Sequence, residues 1–440
     1  MSDAELPQPV SSLSERLLRG LYTLLLALLL PALLLRLLWR SRAEPGYRQR
    51  IAERFGRCTL KVDQPCIWIH AVSFGETMAA RPLVEALLER FPQGRLLITS
   101  TTATGSARVR TLFGDRVEHC YLPYDLPIFL DPFLRRARPA LAIFMETELW
   151  PNLLARLQQL QVPAILANGR LSQRSAQGYA RIGGVSRAMM QRMTLVAAQH
   201  RQDGERFVEL GLPAERMVVT GNLKFDHAVD PRLVSEAERL RVHWSLGGRP
   251  VWVAGSTHEG EEPLLLSVHR QLLEKLPDTL LILVPRHPQR FDAVARLVDE
   301  MGFKQCRRSS GARVTAATQL LLGDTMGELQ LWYALADLAF VGGSLVPVGG
   351  HNLLEPAALG RPVLSGPHLF NFNETRALLL QAGAARVVED QQALLEQLLL
   401  LLADRVRRTQ MGGAGCAVVE GNRGATLRLL ALLEHYLPQV

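Results

Sequence analysis

The stretch HAVSFGETMAA, residues 70–80, places a glutamate, Glu76, where an apolar run gives way to a helical pattern. Ser73 and Glu76 are three residues apart, which is the spacing of a helix capping box. A carboxylate at a strand-to-helix turn is also where an α/β enzyme holds a general base. The sequence leaves both interpretations of Glu76 open.

Further charged side chains follow other apolar runs. METELWPNLL, residues 145–154, contains Glu146 and Glu148 before a Trp-Pro helix start, and GNLKFD, residues 221–226, contains Lys224. One glutamate beside a helix N-terminus complements the helix dipole, but two in one turn favour contacts with a polar substrate. Lys224 is one of four lysines in the chain, and a lysine between domains can neutralise a leaving phosphate.

Two glycine-containing loops have the composition of phosphate-binding loops. GGHNLLEPAALG spans residues 349–360 and GDTMGEL spans residues 323–329. Asn352 with Glu355, and Thr325 with Glu328, also have the spacing of helix caps. Alternatively, backbone N–H groups in these loops hold a phosphate while Glu355 accepts hydrogen bonds from a ribose. Two such loops at successive strand ends favour one shared nucleotide site.

Two histidine-containing motifs raise the questions of anion and metal binding. VPRHPQRF, residues 284–291, offers Arg286 as a cation for phosphate or carboxylate. STHEGEE, residues 256–262, has His258 beside three glutamates, but its spacing is not that of an H-E-x-x-H zinc motif. The chain also lacks a D-x-D pair, so we expect no metal site.

Short apolar runs that alternate with helical patterns are typical of parallel, doubly wound sheets. The first series is CIWIHAV, RLLITST, HCYLPYD, LAIFMET, PAILANG, TLVAAQH and MVVTGN; the second is PVWVAGS, TLLILVP, TQLLLGD, LAFVGGS, PVLSGP and ARVVED. We therefore predict two Rossmann-like α/β domains, over residues 46–222 and 223–440, and the second includes the linker. The leucine-rich run at 393–402 is too short to span a membrane and is predicted to be a core helix.

The N-terminal segment, residues 1–45, is predicted to be a membrane anchor. Residues 20–35, GLYTLLLALLLPALLL, carry no charge and have arginines on both sides. Sixteen helical residues rise about 24 Å, short of the roughly 30 Å hydrocarbon core, so the helix spans marginally or lies partly embedded. A cleaved signal peptide lacks support because no small-residue cleavage site follows; a buried core helix is the other alternative. The basic flank predicts an inner-membrane protein with its domains on the cytoplasmic side.

Charge and cysteine content narrow the choice of partners. The net charge is +8 and the pI about 9.6, which favour an anionic partner. No basic tract is interleaved with aromatic residues, so nucleic acid is not expected as a partner. The five cysteines are scattered without metal-ligand spacing, as expected of a reduced, cytosolic domain.

The ordered series SFGE, YLPYDLP, METELWPN, GNLKFD, STHEGEE, VPRHP, GDTMGEL and GGSLVPVGGHNLLEP resembles the bacterial 3-deoxy-D-manno-octulosonic acid (Kdo) transferases of lipopolysaccharide assembly. The resemblance extends over the whole chain, including the N-terminal anchor. One departure is Phe74, where the resemblance leads us to expect a small β-branched residue. The resemblance implies a GT-B glycosyltransferase, in which two Rossmann-like domains face a cleft.

The resemblance also implies substrates and residue roles. Kdo would move from CMP-Kdo to lipid IVA, the tetraacylated lipid A precursor, with no cofactor. Glu76 would be the base, and Glu146 and Lys224 would stabilise the transition state. The residues implied to contact CMP are Pro285, Arg286, Met326, Gly327, Glu328, Asn352, Leu353, Leu354 and Glu355.

The residues themselves leave other functions open. A membrane-associated GT-B enzyme that uses a UDP-sugar would share the fold and the phosphate loops. A membrane-anchored protein that binds a nucleotide sugar without turnover would keep the same pockets. A nucleic-acid binder would show steeply salt-dependent affinity for oligonucleotides.

Overall fold

The computed structural model describes residues 13–42, 45–60, 64–226 and 230–437. The first twelve residues of the predicted anchor segment lie outside these ranges. The chain forms two compact units: the first extends to Asp226 and includes the residues from Arg423 onward, and the second comprises His227–Asn422. Each unit is built around one parallel sheet.

The sheet of the first unit has seven parallel strands in the order β3-β2-β1-β4-β5-β6-β7. Its strands are β1 Cys66–His70, β2 Arg95–Ser100, β3 Glu118–Tyr121, β4 Pro139–Met145, β5 Ala164–Gly169, β6 Leu195–Ala198 and β7 Met217–Val219. The central strands β1 and β5 are buried along their whole length and β4 at all but one residue, as expected of a parallel sheet with both faces covered. The strand order reverses direction between β1 and β4, which is where doubly wound sheets bind ligands.

Helices cover this sheet. They are α1 Leu13–Arg40, α2 Phe74–Arg90, α3 Ala103–Phe113, α4 Pro127–Ala137, α5 Pro151–Gln159, α6 Gln173–Ala180, α7 Gly183–Arg192 and α8 Arg201–Glu209. On one face, Trp68 makes edge contacts with Phe133 and Phe144 at ring distances of 5.2 and 5.6 Å. On the other face, α2 and the helix at the C-terminus contribute buried aliphatic side chains.

The sheet of the second unit also has seven parallel strands, in the order β10-β11-β9-β8-β12-β13-β14. Its strands are β8 Val251–Thr257, β9 Leu280–Pro285, β10 Gln305–Arg307, β11 Leu320–Leu322, β12 Leu338–Val341, β13 Val363–Ser365 and β14 Ala385–Val387. The carboxyl ends of β11, β9, β8 and β12 therefore stand side by side. The ends of these strands and the segments that follow them carry all the residues that the resemblance implies to contact CMP.

The remaining α-helices are α9 Pro231–His243, α10 Glu261–Lys275, α11 Phe291–Glu300, α12 Leu329–Leu335, α13 Leu354–Ala358, α14 Asn373–Gln381, α15 Gln391–Ala403, α16 Arg405–Asn422 and α17 Ala425–Leu433. Short 3-10 helices occur at Pro45–Arg48, Ile51–Phe55, Gly114–Arg116, Ala214–Arg216, Leu223–Asp226, Pro288–Arg290 and Arg308–Ser310. The leucine-rich run forms α15, which packs its buried leucines into the core of the second unit, as predicted.

The strand predictions are confirmed, with one omission and one difference in boundaries. All thirteen predicted runs contain a strand, and β10 was missed because only the middle residue of Gln-Cys-Arg is apolar. The sequence assigned residues 223–440 to the second domain, whereas α17 packs into the core of the first unit. Asp226 explains this return, because its carboxylate accepts hydrogen bonds from the N–H groups of Gly424 and Thr426.

The helix α1 is, within the described residues, the one long and apolar enough to cross a membrane. Only 6% of its most apolar window is buried. Its two ends contact the first unit: Glu15 pairs with Arg192 at 2.8 Å, and Leu37 packs beside Tyr47 and Ala103. The helix is therefore an anchor candidate that lies along the surface of its own domain.

Candidate active site

Glu76 lies in the first turn of α2, directly beyond the carboxyl end of β1. Ser73 is the N-cap residue, in extended conformation at φ −122°, and its Oγ accepts a long bond from the Glu76 N–H at 3.4 Å. The carboxylate accepts from Val72 N–H at 2.8 Å and from the Ser73 hydroxyl at 3.1 Å. A standard capping box would place the glutamate on the N–H of Ser73, so the contact is displaced by one residue.

Its part in the helix cap does not prevent Glu76 from acting as a general base. Burial raises the pKa of its carboxyl from an ordinary 4.5 to about 8, and the negative charges of Glu146 and Glu148 act in the same direction. Burial likewise raises the pKa of Glu148, with a smaller contribution from the charge of Glu146. A carboxyl group whose pKa lies near neutral pH is suited to accept a proton during a reaction. The two interpretations of Glu76 are therefore compatible.

Glu146 follows β4, the neighbour of β1 at the point where the strand order reverses. Its φ is +59°, in the left-handed region that a glutamate rarely adopts. Backbone bonds hold it there: its N–H donates to the Ala167 carbonyl at 3.0 Å, and its carbonyl accepts from the Arg170 N–H at 3.3 Å. Such strain, about 1–3 kcal/mol, is concentrated at functional sites. The turn aims the Glu146 carboxylate at Lys224, with Oε1 3.0 Å from Nζ.

Buried amide side chains hold the backbone around Lys224. The Asn222 side-chain oxygen accepts from the Lys224 N–H at 3.0 Å, and that of Asn168 accepts from the Leu223 N–H at 3.0 Å. Gln199 accepts from the Asn222 amide at 3.1 Å. Sequence reasoning missed Asn168 and Gln199, although each is a polar residue at the end of an apolar run, ILAN and VAAQ.

In the second unit, Pro285 ends β9 and Arg286 follows it. The Arg286 N–H donates to the Thr257 carbonyl at 3.0 Å, which fixes the start of this loop against β8. The guanidinium makes no hydrogen bond or ion pair with the residues that the structure describes, although it lies near enough to His351 to lower the pKa of that imidazole. Arg286 is therefore a half-buried cation available to an anionic ligand.

The loop at 326–328 exposes Met326, gives Gly327 a φ of +87°, and orients Glu328. The Arg308 guanidinium pairs with Glu328 at 2.7 Å. Although burial alone would raise the pKa of the Glu328 carboxyl, bonds from Arg308 and Thr325 leave it lower than usual. The interpretation of Thr325 as a helix cap is wrong, because α12 begins only at Leu329 and its N-cap residue is Glu328.

The loop at 352–355 is organised by Asn352. Its side-chain oxygen accepts from the Leu354 N–H at 3.1 Å, and its amide donates to Glu355 at 3.2 Å. The residue at the N-cap position of α13 is Leu353 rather than Asn352. Because the side chains of Leu353 and Leu354 are buried in the core, only their backbone groups are available to a ligand.

The acidic residues of the STHEGEE motif support the loop after β12. Glu261 is fully buried, and its carboxylate accepts from the N–H groups of Gly343, Ser344 and Leu345 at 2.7 to 2.9 Å. Glu262, also buried, pairs with Arg290 at 2.6 Å. No group of three or more His, Cys, Asp and Glu side chains in the described parts of the chain is arranged to hold a metal ion.

Three histidines from three strand ends form a cluster that the sequence did not reveal. The rings of His258 and His351 stack at 5.1 Å with their Nε2 atoms 2.9 Å apart, and His287 meets His258 edge-on at 5.1 Å. Burial, followed by the charge of His258, lowers the pKa of His351 to about 3. The cluster joins the loops after β8, β9 and β12, which places Arg286 and the 352–355 loop in one neighbourhood.

Known proteins resemble this chain over most of its length. The sequence model of a family described as 3-Deoxy-D-manno-octulosonic-acid transferase (kdotransferase) matches residues 49–227. A 3-deoxy-D-manno-octulosonic acid transferase of Haemophilus influenzae is 44% identical over 422 residues, which cover 95% of this chain and 99% of that protein.

Solved structures also resemble this chain. The C-terminal CMP-Kdo binding domain of WaaA from Acinetobacter baumannii is 36% identical, with a TM-score of 0.42, and the match covers 43% of this chain and 100% of that one. UDP-GlcNAc 2-epimerase from Neisseria meningitidis, bound to UDP-GlcNAc, is 14% identical, with a TM-score of 0.52, and the match covers 84% and 99%. The epimerase shares the fold alone, which agrees with the predicted GT-B class of two parallel-sheet domains.

Proposed function

The chain belongs to the 3-deoxy-D-manno-octulosonic acid (Kdo) transferase family of glycosyltransferases, and we propose that it transfers Kdo from CMP-Kdo to lipid IVA with inversion and without a metal ion. The family relationship supports Kdo as the transferred sugar. The donor and the acceptor are part of the proposal, which rests on the motif resemblance and on the chemistry of the two sites.

The observation that carries the proposal is the environment of Glu76. In the proposed step, a hydroxyl oxygen of the acceptor sugar bonds to the anomeric carbon of Kdo, the bond from that carbon to the CMP phosphate breaks, and the hydroxyl proton passes to the Glu76 carboxylate. The N–H of Val72, 2.8 Å from Oε2, holds the carboxylate in one orientation. A pKa of about 8 makes this carboxylate a stronger base than an ordinary glutamate at the same pH.

Glu146 and Lys224 are proposed to stabilise the charges that develop in the transition state. Direct displacement at a sugar passes through an oxocarbenium-like state, whose positive charge a carboxylate stabilises. The departing CMP phosphate gains negative charge, which an ammonium group stabilises. Because the two side chains are paired at 3.0 Å, each holds the other in position before substrate binds.

The loops of the second unit are proposed to bind the CMP part of the donor. Arg286 offers a cation without a partner among the described residues, and Gly327 allows a close approach to the backbone. Glu355, held by Asn352, is suited to accept hydrogen bonds from the ribose hydroxyls. CMP leaves as a monophosphate ester, so less charge develops than on a diphosphate, and protein cations are sufficient to stabilise it.

We propose that α1 anchors the protein at the cytoplasmic face of the inner membrane and lies in the plane of the interface. Glu15 pairs with Arg192 at 2.8 Å near the start of the helix, Thr23 accepts from the Asn152 amide at 2.9 Å, and Leu37 packs on Tyr47 near its end. A membrane-spanning helix would not contact the same domain at both ends. The opposite side of α1 is a row of exposed apolar side chains: Leu17, Leu21, Leu24, Leu25, Leu28, Leu35 and Trp39. Such a helix binds a bilayer through its apolar face.

The experiment that tests the proposal follows the release of CMP from CMP-Kdo by the purified full-length chain, with lipid IVA in detergent and excess EDTA. Release that requires lipid IVA and persists in EDTA supports the proposed donor, acceptor and metal independence. A requirement for added divalent ion, or release only from a UDP-sugar, contradicts it. The Glu76→Gln protein is the matched control for CMP released by hydrolysis outside the site.

A further inference from the structure

The amino-terminal edge of the sheet in the second unit contains a cavity of about 420 Å³ that none of the proposed chemistry uses. Its charged lining consists of Arg241, Arg361, Arg405, Arg408 and one acid, Asp337. Asp337 directly precedes β12 and Arg361 lies just before β13, so this cavity is at the opposite end of the strands from the nucleotide loops. Four cations and one anion give the lining an excess of positive charge.

Three of these arginines also have structural contacts. Arg241 and Arg361 donate to carbonyls in the last turn of α12 at 2.6 and 2.7 Å, and Arg408 donates to carbonyls in the last turn of α15 at 2.7 and 2.6 Å. These bonds satisfy helix C-termini. A guanidinium has five N–H donors, however, so most remain available. The Nε of Arg361 is buried and has no partner among the described residues.

Arg405 has no such structural contact. Its side chain is exposed and makes no hydrogen bond or ion pair with the residues described, although it lines the cavity. It opens α16, whose first turn carries Arg405, Arg407 and Arg408; the carboxylate of the preceding Asp404 accepts from the Arg407 N–H at 2.9 Å. Three positive side chains at the positive end of a helix dipole exceed the one negative charge of Asp404, so an anion bound there would be favourable.

The only acid in the lining does not neutralise Arg405. The Asp337 carboxylate accepts from the Val251 N–H at 2.8 Å and lies 3.8 Å from the Arg241 guanidinium, so both of these contacts are with β8 and α9. Planar guanidinium groups bind phosphate oxygens in pairs of hydrogen bonds. A cavity of this volume also has room for more than a bare ion.

We propose that this arginine-lined cavity binds a phosphate group, carried by a soluble phosphorylated molecule or by a lipid head group. The site is separate from the nucleotide loops and does not depend on the proposed transfer reaction. Arg405 would be the residue whose main role is ligand binding, with Arg361 and Arg408 contributing the donors that their helix contacts leave free.

The test compares Arg405→Gln with Arg407→Gln in full-length protein that also carries Arg286→Gln, which weakens phosphate binding at the nucleotide loops. Arg407 is the matched control because it is exposed, belongs to the same helical turn and does not line the cavity. The Arg407 guanidinium instead forms an ion pair with Asp404, at 3.9 Å. Both variants lose one charge from the surface of α16, so general electrostatic effects cancel in the comparison.

Two probes identify the source of the phosphate. Calorimetric titration with inorganic pyrophosphate tests a soluble ligand, and co-sedimentation with phosphatidylglycerol vesicles, relative to phosphatidylcholine vesicles, tests a head group. We expect Arg405→Gln to weaken binding of one probe about tenfold relative to Arg407→Gln, the loss typical of one charge-assisted contact. Equal affinities of the two variants for both probes, or no binding of either probe before the Arg405 substitution, would overturn the proposal.

Discussion

Replacing Glu76 with glutamine separates the two roles of this side chain. Glutamine keeps the shape: its carbonyl oxygen can still accept from the Val72 N–H, and its NH2 group can donate to Ser73 Oγ, so the start of α2 is preserved. The amide cannot take up a proton near neutral pH, and removal of a general base typically slows a reaction by ~10²- to 10⁴-fold. We expect Glu76→Gln to be folded, to bind CMP and to be nearly inactive.

The same substitution has a calculable effect on stability. The pKa of the Glu76 carboxyl is about 8 in the folded protein, and its ordinary value is 4.5. Between these two values the folded chain holds a proton that the unfolded chain has released. The stability that this proton provides is complete below 4.5 and is lost as the pH rises through 8. At 1.36 kcal/mol per pH unit, the loss approaches about 5 kcal/mol, and partial exposure reduces it to about 2–4 kcal/mol.

The assay is urea unfolding of both proteins at about pH 4 and about pH 9. At the lower pH the wild type has lost none of the stability that depends on the Glu76 proton, and at the higher pH it has lost all of it. Relative to the wild type, Glu76→Gln should gain about 2–4 kcal/mol in free energy of unfolding on going from the lower pH to the higher. No relative gain would contradict the burial argument. Wild-type turnover in Glu76→Gln would refute the base assignment and move the search to Glu146 or Glu148.

Ser73→Ala is the matched control for the cap. It removes the long 3.4 Å cap bond and the hydroxyl that donates to Glu76 Oε1. The cost in stability should be about 1 kcal/mol or less. Loss of a donor to the carboxylate should raise the Glu76 pKa further, so kcat/KM should reach its plateau at higher pH while the plateau value is largely kept. A plateau as low as that of Glu76→Gln would mean that Ser73 itself has a chemical role.

Three other predictions follow from the two units. Lys224→Met should leave Glu146 without its partner and reduce kcat by ~10²- to 10³-fold with little change in the affinity for CMP by calorimetry; an unchanged kcat would refute its role. CMP should raise the melting temperature more than UMP or UDP does, and an equal rise with UDP would favour a UDP-sugar donor. Deletion of residues 1–40 should release a folded protein from membranes, and its melting temperature should be lower because Arg192 loses its ion pair with Glu15. Replacing Arg192 with methionine in the truncated chain should recover part of that loss. A truncated chain that fails to fold would mean that α1 is a core element.

The parallel sheets were predictable because their strands are nearly continuous apolar runs, and parallel strands are buried on both faces. Local rules also identified Ser73 as a helix cap. They failed at Thr325, because α12 begins three residues further along than a capping box requires. They also missed the return of α17 to the first unit, which depends on the long-range contact of Asp226 with Gly424.

The arrangement of the candidate site was less predictable than its members. Glu146 and Lys224 are distant in sequence, and their 3.0 Å pairing depends on the order of β4 and β7 in the sheet and on the left-handed turn at Glu146. The cluster of His258, His287 and His351 similarly depends on β8, β9 and β12 being neighbours. Periodicity identifies strands without giving their order, so the sequence indicates which residues are unusual but not which of them meet.

The most direct test of the proposed function is mass spectrometry of the lipid formed from lipid IVA and CMP-Kdo by the purified chain, with Glu76→Gln in parallel. We predict that wild-type protein converts lipid IVA to a product heavier by one or more whole Kdo residues, and that Glu76→Gln leaves lipid IVA unchanged. Unmodified lipid IVA after incubation with folded, CMP-binding wild-type protein would contradict the account, as would a product of the same mass from Glu76→Gln at the wild-type rate.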